Sequence, residues 1–256
     1  MSEPTTFDDT IGALDTLVDE CSKTGDRIGY FAAMYIAVTD TIRERSEAGR
    51  FQDPARMARF VSCFAARYLD ALNAWRVGEP CSQSWLVAFR AAQEWRPIIL
   101  QHLLLGMNAH INLDLGVTVC EVAEGSSIEA ERADFDAVND VLGQLVDGCQ
   151  GALDKVSPWL GLVDRIGGRG DETLIRFSIG AARSQAWSVA LRLSSLAGPE
   201  RAAAIGEVDA TTARIAQIVE HPGLPASALL LAVRARERAA PADVMDVLRA
   251  VRPDEP

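Results

Sequence analysis

His110 and Asp114 are the residues of this sequence best spaced to do chemistry together. They lie four apart in the run Gln101-His102-Leu103-Leu104-Leu105-Gly106-Met107-Asn108-Ala109-His110-Ile111-Asn112-Leu113-Asp114-Leu115-Gly116. On an ideal helix, at about 100° per residue, Asp114 stands about 40° from His110 and His102 about 80° to the other side, with Asn108 and Asn112 on the opposite face. A histidine and a carboxylate on one face support three arrangements. They could ligate one divalent metal ion, as paired helical residues do in carboxylate-bridged bundles. Asp114 could orient the imidazole so that it acts as a general acid or base. Or the pair could be a hydrogen bond within the core, with Asn108 and Asn112 tying neighbouring helices together. For a metal, His102 is two turns away, about 12 Å along the axis. Further ligands would come from other helices, where Asp70, Asp136, Asp140 and Glu94 qualify by type alone.

The same stretch shows what must position these groups. Leucines, Met107 and Ile111 fill most of its remaining directions, and a helix apolar all round is a buried central helix. Its polar groups are then buried too, and each needs a partner or a ligand. Around it, period-3.6 patterns dominate and period-2 runs are absent. Helices are expected over Thr10–Ser22, Arg27–Ala48, Asp53-Pro54 to Trp75, a segment capped by Ser82 and carrying Trp85, Phe89 and Trp95, and Pro97–Cys120. Asp134 reads as the cap of a helix reaching Leu153, and Asp171 as the cap of one reaching Leu196. Pro199–His221, Pro225–Ala239 and Pro241–Val251 complete the set. The reading is an all-α, single-domain bundle of about nine or ten helices, with a soft division near the Gly- and Pro-rich stretch 158–170.

Composition narrows the function classes. With Lys and Arg at 25 against Asp and Glu at 36, the 256-residue chain carries a net charge of -11. Nucleic acid and anionic membranes need a cationic footprint, so neither is the expected partner. The window 97–120 holds six polar groups, which argues against a membrane span. Five scattered cysteines without Cys-x-x-Cys spacing suit buried thiols in a reducing cytoplasm. No Gly-x-Ser-x-Gly, His-Glu-x-x-His, Asp-Asp-x-x-Asp or dinucleotide fingerprint occurs. Gly167-Gly168-Arg169-Gly170-Asp171 lacks the strand and the Gly-Lys-Ser/Thr of a phosphate loop and reads as a turn. Arg67 and Asp70, three apart, read as a local ion pair, or as an inward pair meeting His110. Arg183 reads as a snorkelling core-edge cation, or as a group that binds an anionic substrate. Trp75, Trp85, Trp95, Trp159 and Trp187 read as core anchors.

The run Met107 to Leu115 resembles the N-A-H-I-N-x-D-L signature of an all-helical, largely actinobacterial family of unknown function. Arg67 to Leu72, Phe135 to Asn139 and Ala182 to Trp187 are similar to the same family, so the resemblance spans about residues 30–195. At Ser184 the sequence departs from the family, whose members carry an acidic residue there. The resemblance implies a helical fold and no stated activity. It groups Asn108, His110, Asn112 and Asp114 in one constellation, with Arg67, Asp70, Asn139 and Arg183 as neighbours.

Two functions follow as expectations. One is an enzyme acting on a small, largely apolar metabolite in an interhelical pocket. There His110 and Asp114 would be the catalytic pair or the ligands of a divalent metal, and Asn108, Asn112, Arg67, Asp70, Asn139 and Arg183 would position substrate. The other is a non-catalytic helical ligand-binding or scaffold protein whose central polar residues only specify packing.

Overall fold

The computed structural model of the chain describes residues 5–124, 127–157 and 179–252. Eleven α-helices and no strand occur among these residues. In chain order they are α1 (Phe7–Thr24), α2 (Gly29–Glu47), α3 (Pro54–Arg76), α4 (Gln83–Gln93), α5 (Ile99–Ala109), α6 (Leu115–Val122) and α7 (Arg132–Val156). After these come α8 (Ile179–Ser194), α9 (Gly198–Glu220), α10 (Leu224–Arg234) and α11 (Pro241–Arg249). The stretch 158–178, which includes the expected soft division, Trp159, the glycine-rich turn and the Asp171 cap, lies outside the described residues.

Local signals start several helices where expected. Thr6 and Asp9 form a reciprocal capping box that begins α1 three residues earlier than its apolar pattern suggests. Asp53 accepts the Arg56 N–H at 2.9 Å, with Pro54 in the first turn of α3. Other starts are capped from a distance. The Asp209 carboxylate on α9 accepts the N–H groups of Gln83 (2.7 Å) and Ser84 (2.9 Å) and the Ser84 hydroxyl (2.7 Å). Ser82, the expected cap of α4, makes no capping bond. Glu237 accepts the Ile99 N–H at the start of α5 and the Ser157 hydroxyl. Asp134 lies within α7, which begins at Arg132, and accepts the Gln52 N–H ahead of α3. At α4 and α5 the physics is shared: first-turn N–H groups have no partner within their own helix, and the helix dipole favours a carboxylate there.

Asp209 is buried and holds three donors. Asp209→Ala should therefore cost about 2–3 kcal/mol, because bonds to a charged acceptor are strong and the donors stay buried. Thermal unfolding checks this, and a melting temperature within a degree of wild type would refute it.

Two helices form the centre. The rod Ile99–Val122 is long and apolar enough to cross a membrane, yet its most apolar window is 94% buried inside the fold. α2 packs against it and is buried on nearly every side from Gly29 to Ala37. Gly106 permits this approach: a Cβ there would lie 2.6 Å from the Phe31 ring. Gly116 does the same for α8, since a Cβ would lie 2.8 Å from the Ala186 carbonyl oxygen. α1, α3, α4, α9 and α11 complete the surrounding layer.

The rod is not the uninterrupted α-helix its sequence suggests. His110–Asp114 form a π-helical turn, closed by the Leu115 N–H bonding to the His110 carbonyl. A second difference concerns Trp95. α4 ends at Gln93, and Trp95 is 57% exposed beneath the Arg234 guanidinium rather than anchoring the core.

Candidate functional site

The π turn places His110 and Asp114 side by side, both buried. His110 Nδ1 lies 3.1 Å from Asp114 Oδ2, and the same oxygen accepts the Trp85 indole N–H at 2.9 Å. A carboxylate only accepts, so the imidazole must carry its proton on Nδ1 and present a lone pair at Nε2. Among the described residues Nε2 has no hydrogen-bond partner. Four aromatic rings enclose the imidazole. Phe64 is stacked on it at 3.5 Å between centroids, and Tyr35 (4.7 Å), Phe31 (5.6 Å) and Trp85 (6.0 Å) surround the rest. Burial is the largest influence and lowers the His110 pKa, the Asp114 bond works against that, and Arg67 adds to the lowering. The ring is thus neutral at neutral pH.

His110 lies in the wall of a cavity of about 300 Å³ enclosed by α2, α3, the rod, α7 and α8. Its lining is almost wholly apolar, from Met34 and Ile42 through Leu103 and Leu104 to Val138 and Leu145. The polar exceptions among the described residues are His110, Thr39, Tyr35 and Arg183. The Tyr35 hydroxyl is buried without a partner, and burial holds the phenol protonated well above its usual range. Thr39 bonds back to the Tyr35 carbonyl at 2.9 Å. On the other side of the pair a more polar cleft of about 470 Å³ is lined by Arg67, Asp70, Trp85, Asp114 and Glu121. The chain Trp85–Asp114–His110 therefore runs between a polar cleft and an apolar cavity.

The remaining expected site residues are placed as follows. Asn108 and Asn112 bond each other at 3.0 Å, and Asn108 donates to the Thr212 carbonyl of α9 at 3.0 Å. They knit the rod to α9 and line neither the cavity nor the cleft. Arg67 pairs with Glu121 across helices, not with Asp70, although Asp70 shares its cleft. Arg183 reaches the cavity wall from α8. The side chains of Asn139 and Asp140 lie outside the described residues. Among the described residues no three His, Cys, Asp or Glu side chains come together to hold a metal ion. Asp136 is ion-paired with Arg132 at 2.8 Å, and both partners of Asp114 Oδ2 are N–H groups.

The model of a family of unknown function (DUF5995) matches residues 7–222. The chain belongs to that family. The match covers α1 to α9, and hence every element that contributes to the cavity and to the Trp85–Asp114–His110 chain. No curated protein and no solved structure matches this DUF5995 chain.

Tyr35, Phe64 and the bond from Trp85 are the parts of the DUF5995 site that residue patterns did not single out. A usable signal existed for Trp85, because a buried indole N–H needs an acceptor. Tyr35 and Phe64 carry no such local mark; only the packing of α2 and α3 against the rod brings them to His110.

Proposed function

We propose that this protein is an enzyme acting on a small, largely apolar molecule held in the interhelical cavity, with His110 as general base and then acid. The observation that carries the reading is the unpartnered Nε2 of His110 in the cavity wall, its lone pair fixed by the Asp114 bond at Nδ1. A neutral imidazole so oriented takes a proton at Nε2, and Asp114, itself held by Trp85, stabilises the imidazolium that results. The buried Tyr35 hydroxyl supplies a neutral donor at the same wall. Acid–base chemistry suits the site better than a metal, because His110 and Asp114 already engage each other. Tailoring of a small metabolite in a reducing cytoplasm, in an actinobacterial lineage whose signature is the run Asn108 to Leu115, is the setting we propose. A non-catalytic ligand-binding protein is the second reading, favoured by Phe64 lying flat against the imidazole.

The test uses N-phenyl-1-naphthylamine, a neutral apolar fluorophore, together with ¹⁵N signals of the histidines. The fluorophore should brighten on binding, and the His110 ring signal should shift while that of His102 does not. Val138→Phe, which fills the cavity wall, should abolish both effects without unfolding the chain. Binding that leaves the His110 signal unmoved would place the molecule elsewhere and sink the reading.

A further inference from the structure

Arg183 is a charge placed where charges are costly. Its side chain is only 3% exposed, and among the described residues it is the only permanently charged group lining the apolar cavity. One guanidinium nitrogen donates to the Phe135 carbonyl at 3.0 Å, and the group lies over the Phe135 ring at 4.6 Å. Its Nε has no partner among the described residues. Among the described residues no carboxylate lies within ion-pair distance of it. Asp136, whose charge reaches it, is engaged with Arg132. Glu131 and Asp134, which share a small neighbouring pocket with it, are held by Arg56 at 3.1 and 3.2 Å. Burial pulls the Arg183 pKa down to about 9, so the group still carries its charge at neutral pH.

A buried cation without a counter-ion is strongly unfavourable, and the usual remedy is a bonded anion. Among the described residues the cavity wall supplies none, and it contains no acidic side chain to repel one. Its volume, about 300 Å³, stands at the small end of the range for small-molecule sites and leaves room for one compact ligand. We propose that the cavity takes an apolar carboxylate, its anionic head bonded to Arg183 and its hydrocarbon body among the leucines beside His110. This inference rests on the small-molecule reading above and adds the charge and class of the ligand. It gives the two ends of the cavity different tasks, since Arg183 orients the molecule while His110 meets its apolar part.

The experiment displaces bound N-phenyl-1-naphthylamine from the full chain with decanoate or with decanol, which share a hydrocarbon body and differ in charge. Decanoate should compete about tenfold to a hundredfold better, as a charge-assisted bond to a buried guanidinium implies. Arg183→Met should erase that preference and leave decanol competition unchanged, and Arg183→Lys should retain part of it. Equal competition by the two compounds in the wild type overturns the carboxylate assignment while leaving the cavity reading intact, and this comparison needs no variant to fold. A preference for decanoate that survives in folded Arg183→Met also overturns it, because the head would then be held elsewhere. Failure of the fluorophore to bind removes the cavity reading and this one together.

Discussion

Acid should unfold this protein between about pH 6.5 and 4, with His102 as the main titrating cause. His102 is buried on the rod, neither ring nitrogen makes a hydrogen bond, and the Tyr30 ring packs against it edge-on at 5.7 Å. Burial first, then the charges of Arg27 and Arg234, push its pKa down to about 3, and the Pro97 backbone offsets this only slightly. The folded chain therefore refuses a proton that the unfolded chain accepts below about pH 6.5. Stability from this group is fully present above that value and is lost as pH falls toward 3. The loss is about 1.4 kcal/mol per pH unit, approaching about 5 kcal/mol in total. His110, also lowered by burial, acts in the same direction. Glu131 and Glu237 act in the opposite one, because burial raises their pKa values and the folded chain takes up their protons first. A domain stable by roughly 5–15 kcal/mol cannot absorb the histidine contribution without a visible fall in melting temperature.

The variant that isolates His102 is His102→Leu, which removes the titrating ring and keeps an apolar side chain in the same place. At about pH 7.5 its stability should be close to wild type, since two unpartnered polar atoms leave the core with the ring. At about pH 4.5 it should melt roughly 5–10 °C above wild type, the amount that two pH units of avoided linkage give in a chain of this size. Parallel loss of stability in both proteins would show that carboxylates, not His102, set the acid limit.

How much of this was readable in advance follows from the range over which each signal acts. Helix positions are local properties. The apolar period of 3.6, the Asp53-Pro54 start and the prolines at 199, 225 and 241 all mark elements that the structure contains. The burial of the rod was legible as well, because no direction around it is free of leucine, isoleucine, methionine or valine. What failed to show is long-range. Asp209, Glu237 and Asp134 satisfy N–H groups 80 to 140 positions away in round terms, and no window of sequence joins such partners. The π turn is hidden for a related reason, since an ordinary α-helix already places His110 and Asp114 on one face. The cavity is a negative feature: it exists where α2, α3, α7 and the rod fail to meet, and only tertiary packing decides that.

Replacing Asp114 should separate the structural and chemical contributions of the site. Trp85 and His110 both rely on its Oδ2, at 2.9 and 3.1 Å, inside a shell of aromatic rings. Asp114→Leu keeps the branched shape but strands the buried indole N–H and removes the anchor of the imidazole. With two bonds to a charged acceptor lost, the expected cost is about 3–5 kcal/mol. Asp114→Asn is the informative companion. Its carboxamide oxygen can still accept from Trp85, so most of the stability should remain, within about 1–2 kcal/mol of wild type. Trp85 and Nδ1 share that one oxygen, so it also accepts the Nδ1 proton and the tautomer is kept, while the negative charge that stabilises an imidazolium is lost. The nitrogen in the cavity wall stays bare but becomes a weaker base. Long-range ¹H–¹⁵N spectra of labelled histidine read this directly: wild type and Asp114→Asn should both show protonated Nδ1 and bare Nε2. Loss of turnover in Asp114→Asn with the fold and N-phenyl-1-naphthylamine binding retained would tie the reaction to the carboxylate charge behind that lone pair. A protonated Nε2 in the wild type would mean that the carboxylate does not fix the ring. His110 would then have no more claim to chemistry than any other packed histidine.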